Sequence, residues 1–357
     1  MLRHRALILE GIEDPMSDQL YSAGPTELEL APARVGRLAG MTLGDIVLRR
    51  VMFGLLLLLA ATLVIFLGTQ VLPGDVATAI LGQQATPEAV QNIRNALGLD
   101  QPAMLRYLQW LGGALTGDLG TSYSNGQRIA DGLFPRLANT LSLAAMAAAV
   151  AVPTAIILGV ISVLYRDRLL DKAINIVTLG VISLPEFFVG YLLITYASVQ
   201  YGLAPSSAVV HDGMSFGERL WTMALPCATL VMAVLGHMMR MTRAALLNVM
   251  EAPFIETAQL KGLPAWRILY RHALPAALGP IISVVTLNLA YLVVGVVVVE
   301  VVFVYPGLGQ YMVDHVAKRD IPVIQACGAV FAAMYIFLNV LADIAITLAN
   351  PRLRYRR

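Results

Sequence analysis

Charge is scarce in this chain of 357 residues: Asp, Glu, Lys and Arg together make up 13%, where a soluble domain carries roughly 25%. That is too little to cover a water-facing surface, which excludes an ordinary soluble enzyme and a disordered protein. The two cysteines exclude a disulfide scaffold and a cysteine-based metal cluster. The scattered His211, His272 and His315 form no metal-ligand spacing. Lysine occurs only at Lys172, Lys261 and Lys318, after Asp171, Leu260 and Ala317. The Gly-Lys-Ser/Thr ending of a P-loop is therefore missing, so ATP hydrolysis would belong to another chain. A net charge of +2 is too small to argue for nucleic acid.

What is abundant is apolar sequence in long blocks. A helix crossing a bilayer needs about 20 mostly apolar residues. Six stretches qualify, predicting spans at about 51–72, 138–164, 174–200, 221–247, 277–300 and 322–348. Only Glu186 interrupts the third. The alternating pattern of a β-barrel is absent, so the predicted fold is all-α and polytopic. The first apolar run is too long, and begins too far in, for a cleaved signal peptide. Residues 1–48 are expected to be a flexible extension, 49–349 the transmembrane domain and 350–357 a basic tail, with Met1, Met16 and Met41 all possible starts.

Orientation follows from Lys and Arg in the connections. With the N-terminus inside, inner segments hold 18 of these residues and outer segments 7. Both termini are thus expected in the cytoplasm. The outer connection, 73–136, is too long for a plain link and carries helix punctuation. Thr86, Pro87 and Glu88 can open one helix and Gly98 close it, with Val90, Ile93 and Leu97 on one face. A second helix starts at Pro102 and repeats Leu105, Leu108 and Leu111. These helices lie on the membrane surface, meet a partner outside, or only pack on the outer ends of the spans.

The inner connection, 249–275, reads as helix, sharp turn, helix. Gly262 can take the left-handed conformation that ends the first helix, and Pro264 stands near the start of the second. Phe254, Ile255 and Ala258 cluster on the first; Trp266, Leu269 and Tyr270 on the second. Such a pair is a plug for a groove or a hairpin packed on its own bundle; periodicity does not separate the two.

Glu256-Thr257-Ala258, then Gly262 after three residues, then His272-Ala273-Leu274-Pro275 after nine, resembles the EAA motif of binding-protein-dependent ABC importer permeases. Thr257 and His272 depart from its usual Ala and Ile. Further segments, in order, resemble the dipeptide/oligopeptide/nickel group. They are Leu72-Pro73-Gly74-Asp75, Leu97 to Pro102, Gly117 to Tyr123, Ser183-Leu184-Pro185 with Phe187-Phe188, Val299-Glu300 with Phe303, Tyr305 to Gly309, and Pro351 to Tyr355.

The resemblance implies a permease of the bacterial inner membrane with an EAA-type coupling helix pair and no bond-making chemistry of its own. It implies ATPase coupling through Glu256, Thr257, Ala258, Gly262, Trp266, Leu274 and Pro275. It implies four kinds of partner: two cytoplasmic ATPase subunits that carry ATP and magnesium, a second similar permease, an extracytoplasmic solute-binding protein, and the lipid bilayer. Alternating access would import di- or oligopeptides or peptide-like solutes, with nickel chelates or oligosaccharides as alternatives in the same class. An ion-coupled secondary transporter is the alternative outside it, although no two-half repeat is visible. No nucleophile motif surrounds Ser183 or His237, which argues against an intramembrane enzyme.

Pro185 and Glu186 are candidate pathway residues, because a carboxylate inside a span suggests function by default, and Glu186 could line the path and meet a peptide amine or cationic solute. The alternative for Glu186 is a side chain that reaches water or a neighbouring helix. Asp343 and Glu300 are expected to make interhelical pairs or caps. His237, Arg240 and Arg243 are expected to anchor the fourth span, and Cys227 and Cys327 to be buried thiols rather than a disulfide.

Overall fold

The computed structural model describes residues 43–71, 75–211 and 213–349. The candidate starts, most of the N-terminal extension, part of the Leu72 to Asp75 segment and the basic tail lie outside them. The helices in chain order are α1 (Leu43–Val71), α2 (Val76–Leu81), α3 (Pro87–Ala96), α4 (Ala103–Leu115), α5 (Ile129–Leu164), α6 (Leu169–Ile182) and α7 (Glu186–Leu193). They continue as α8 (Phe216–Thr222), α9 (Ala224–Met250), α10 (Pro253–Leu260), α11 (Ala265–Ile268), α12 (Leu274–Val302), α13 (Leu308–Ala317) and α14 (Ile321–Ala349). Among the described residues there is no β-strand beyond one isolated bridge, Thr121 to Arg128.

Five of these rods are long and apolar enough to cross a membrane: α1, α5, α9, the continuous α11–α12 and α14. The third apolar stretch, expected as one span over 174–200, is interrupted. It is a bent pair, α6 and the helix Glu186–Gln200 that α7 begins, whose axes meet at 101°. Pro185 has no N–H to continue the ladder, and its ring drives Leu184 out of the helical region. The chain restarts as α7, with the Pro185 carbonyl accepting from the N–H groups of Phe188 (3.0 Å) and Val189 (3.1 Å).

The bundle is built on α5, α9 and α12. Leu143, Leu230, Val234, Leu292, Val296 and Phe303 form its largest buried cluster. Small residues set the closest crossings. A Cβ on Gly236 of α9 would lie 2.6 Å from Ile182 and 2.9 Å from the Thr178 carbonyl of α6, the close approach typical of membrane helices. Helix α1 lies along α14, joined by Arg50 to Asp343 at 2.6 Å. Cys227 and Cys327 are both free and buried, in separate clusters.

In the long connection after α1, Thr86 caps α3 by accepting from the Ala89 N–H at 3.3 Å, with Pro87 in the first turn. Helix α4 packs on α1 through a face other than the leucine one. Tyr107 is buried, 3.0 Å from the Thr62 hydroxyl and with its ring tilted against Phe66 at 5.3 Å between centroids, while Leu105 and Leu108 stay exposed. A hydroxyl-bearing ring can satisfy its polar end against Thr62 where a leucine cannot.

Candidate functional site

The segment after α9 folds as a two-faced hairpin. Helix α10 ends at Leu260 with Lys261 as its C-cap; Gly262 follows at φ +73°. The Leu263 N–H donates to the Ala258 carbonyl (3.3 Å) and the Gly262 N–H to the Gln259 carbonyl (2.9 Å). This is the left-handed cap that satisfies the last carbonyls of a helix. The inner face is part of the bundle: Ile255, Ala258, Ile268, Leu269 and Ala273 are buried with Val160, Val163, Leu246 and Ile281. The outer face is open, with Phe254 (49% exposed), Leu260 (82%), Trp266 (53%) and Tyr270 (56%).

Among the expected coupling residues, Glu256, Thr257, Gly262, Trp266 and Pro275 are exposed, Leu274 is half-buried and Ala258 faces inward. Ala258 therefore serves the packing of α10 on the bundle. The expected second helix of the hairpin is not a separate element. Residues Ala265–Val302 run as one rod, widened to a π turn at Leu269–Ala273. The reason is Pro275, which removes an N–H and crowds the preceding turn; the wider turn accommodates it. Trp266 thus stands on the same rod as the fifth span, and α10 packs against that rod.

Behind the hairpin stands a buried ionic node. Asp171, at the start of α6, accepts from Arg243 of α9 at 2.8 and 3.1 Å, from Asn175 at 2.7 Å and from the Asp167 N–H at 3.0 Å. The Ser162 hydroxyl of α5 also donates to Asp171 and accepts from the Arg243 Nε at 2.9 Å. The node ties three spans at the hairpin end, and it gives Arg243 a sharper task than anchoring α9 alone.

Glu186 opens α7 just beyond the break. It lines a partly open cavity of about 490 Å³ with Ser183, Phe187, His237 of α9, and Tyr291 and Val298 of α12. Its carboxylate lies against Gly295, where a Cβ would come within 2.9 Å of Oε2. The structure brings Pro185, Glu186 and His237 to one cavity and keeps them apart from the hairpin residues.

The description "Binding-protein-dependent transport system inner membrane component" matches residues 151–355, and its N-terminal companion matches 43–144. The chain belongs to that family. A putative peptide transport system permease protein of Brucella abortus (strain 2308) is 36% identical over 310 residues, covering 87% of this chain and 99% of the relative. A probable peptide ABC transporter permease protein of Sinorhizobium fredii is 32% identical over 313 residues (88% and 100%). The glutathione transport system permease protein GsiC of Escherichia coli (strain K12) is 33% identical over 300 residues (84% and 95%). An inward-facing MetNI methionine ABC transporter structure overlays 62% of this chain at TM-score 0.45 and 16% identity.

As a member of this family the chain is a multi-pass inner-membrane permease subunit. At the end of the permease opposite the hairpin, the structure explains motifs whose spacing alone carried no chemistry. Glu300 is fully buried and caps α13: it accepts from the Thr140 hydroxyl at 2.6 Å, the Gly309 N–H at 2.7 Å and the Gln310 N–H at 3.1 Å. This bears out the cap expected of Glu300. Asp320, which sequence reasoning missed, gathers the Gly117 to Tyr123 segment. It accepts from the Ser122 hydroxyl and from the Tyr123 (3.0 Å) and Ser124 (3.1 Å) N–H groups. Burial pushes the Tyr123 phenol above its ordinary pKa. A carboxylate just before an apolar run was the available signal for Asp320, but its partners lie nearly 200 residues away in sequence.

Proposed function

We propose that this permease imports peptides or peptide-like solutes by alternating access, driven by two separate ATPase subunits that grip the exposed face of α10 and Trp266. One observation carries the reading: the hairpin has a face built into the fifth span and an opposite face of exposed Phe254, Leu260, Trp266 and Tyr270. A plug with one face fixed to the bundle and the other free transmits a push from outside the membrane into a span. Glu256, Thr257 and Gly262 shape that outer face, and Leu274 and Pro275 shape the turn behind it. ATP and magnesium sit on the partner subunits. The peptide class is supported by the relatives from Brucella and Sinorhizobium, and glutathione, the solute named for the Escherichia coli relative, is itself a small peptide.

A second, similar permease completes the pathway, and an extracytoplasmic binding protein delivers solute. Both termini and the hairpin face the cytoplasm, a reading supported by the excess of Lys and Arg in those connections. Pro185 and Glu186 line the route. Co-expression with candidate ATPases tests the assignment. Wild-type chain should co-purify with them and Glu256→Lys should not; an equally stable complex for the variant would remove the docking role. Robust ATP hydrolysis by the purified chain alone would overturn the division of labour.

A further inference from the structure

Of the buried and half-buried carboxylates on the described helices of the bundle, all but one are matched within the chain. Asp171 meets Arg243, Glu300 meets Thr140 and two backbone N–H groups, and Asp343 meets Arg50. Among the described residues no hydrogen bond or ion pair reaches the Glu186 carboxylate. The nearest hydroxyl in sequence, on Ser183, is committed to the Leu179 carbonyl at 2.8 Å. A carboxylate held in a span without a counter-charge is costly and persists where something outside the chain meets it.

The surroundings say what that partner is. The cavity of about 490 Å³ has the size of a small-molecule site. Phe187, Val298 and Val181 give it apolar walls, and His237 and Tyr291 add hydrogen-bonding groups from two other spans. One carboxylate, two hydrogen-bonding side chains and apolar walls suit a small solute with a cationic head and an amide beside it.

We propose that this cavity binds the α-ammonium end of the transported peptide, with Glu186 as its counter-ion. The proposal rests on the reading of the chain as a peptide permease. His237 and Tyr291 hydrogen-bond the first peptide group, and the break at Pro185 holds the carboxylate at the mouth of the cavity.

The test uses the complete importer reconstituted in vesicles, with alanyl-alanine and N-acetyl-alanyl-alanine as probes. Glu186→Gln should lower alanyl-alanine uptake about tenfold, the scale of one lost charge-assisted contact, with ATP hydrolysis retained and Glu186→Asp partly restoring uptake. Unchanged uptake by Glu186→Gln overturns the site while leaving the importer reading intact. A second measurement on wild-type protein serves should the variant fail to assemble. A membrane-permeant carbodiimide labels Glu186, read by mass spectrometry. Protection by alanyl-alanine and none by the acetylated peptide supports the site; no protection, or equal protection by both, overturns it. Wild-type importer that moves no peptide at all would instead sink the function proposed above, and the labelling result would still decide the site.

Discussion

The Glu300 carboxylate occupies the place a side chain on Gly307 would need. A Cβ built there falls inside the carboxylate group, and one on Gly309 would lie 2.7 Å from the Val297 backbone. Gly307 has an extended backbone that any residue adopts, so space, and not conformation, demands the glycine. The buried acid and the two glycines are one device that seats α13 against α5 and α12.

Gly307→Ala should therefore force Glu300 off the α13 N–H groups. Overpacking of this kind costs about 1–3 kcal/mol, with a further loss from the displaced hydrogen bonds. Thermal unfolding in detergent should show a clear drop. Combining it with Glu300→Ala should cost less than the sum, because the two share one clash.

Val304 closes α12 at φ +51°, a conformation that opposes a β-branched side chain. The Tyr305 N–H donates to the Glu300 carbonyl at 2.9 Å and the Val304 N–H to the Val301 carbonyl at 3.4 Å, the pattern that glycine ordinarily serves. Val304→Gly should relieve about 1–2 kcal/mol of backbone strain against a smaller unfolded-state entropy cost. A small rise in unfolding temperature is expected, and a fall would contradict this account.

Gly262 presents the reverse case. A Cβ there meets open space, so Gly262→Val should cost only the backbone term, about 1–2 kcal/mol. The chain should still insert and fold, but α10 would leave its turn at a different angle. Transport by the assembled complex should fall while protein in the membrane stays near the wild-type amount.

Removing Arg243 strands the buried Asp171 charge. Arg243→Met should destabilise by about 3–5 kcal/mol, the cost of breaking a buried pair from one side. Adding Asp171→Asn should recover much of the loss. Unfolding curves of the two single variants and the double would measure the coupling, and strict additivity would mean the node is not a unit.

The legible parts of this protein are those written locally. Apolar runs exposed the helices that cross the bilayer, because a bilayer imposes a fixed length on them. Thr86 with Pro87 opened α3, and Gly262 closed α10, because caps depend on residues within a turn of each other. The break at Pro185 was present as a residue but not as an angle. How far the chain bends after a proline depends on what α6 and α7 pack against.

By composition and order alone, the chain was bound to be a bundle of apolar helices, with a capped hairpin between the fourth and fifth apolar stretches. Tertiary structure alone decided that Ala258 faces inward, that Arg243 finds Asp171, that Asp320 gathers a segment nearly 200 residues upstream, and that Glu186 is left without a partner among the described residues. Helix periodicity is a property of neighbours in sequence, whereas a charge is satisfied only by neighbours in space.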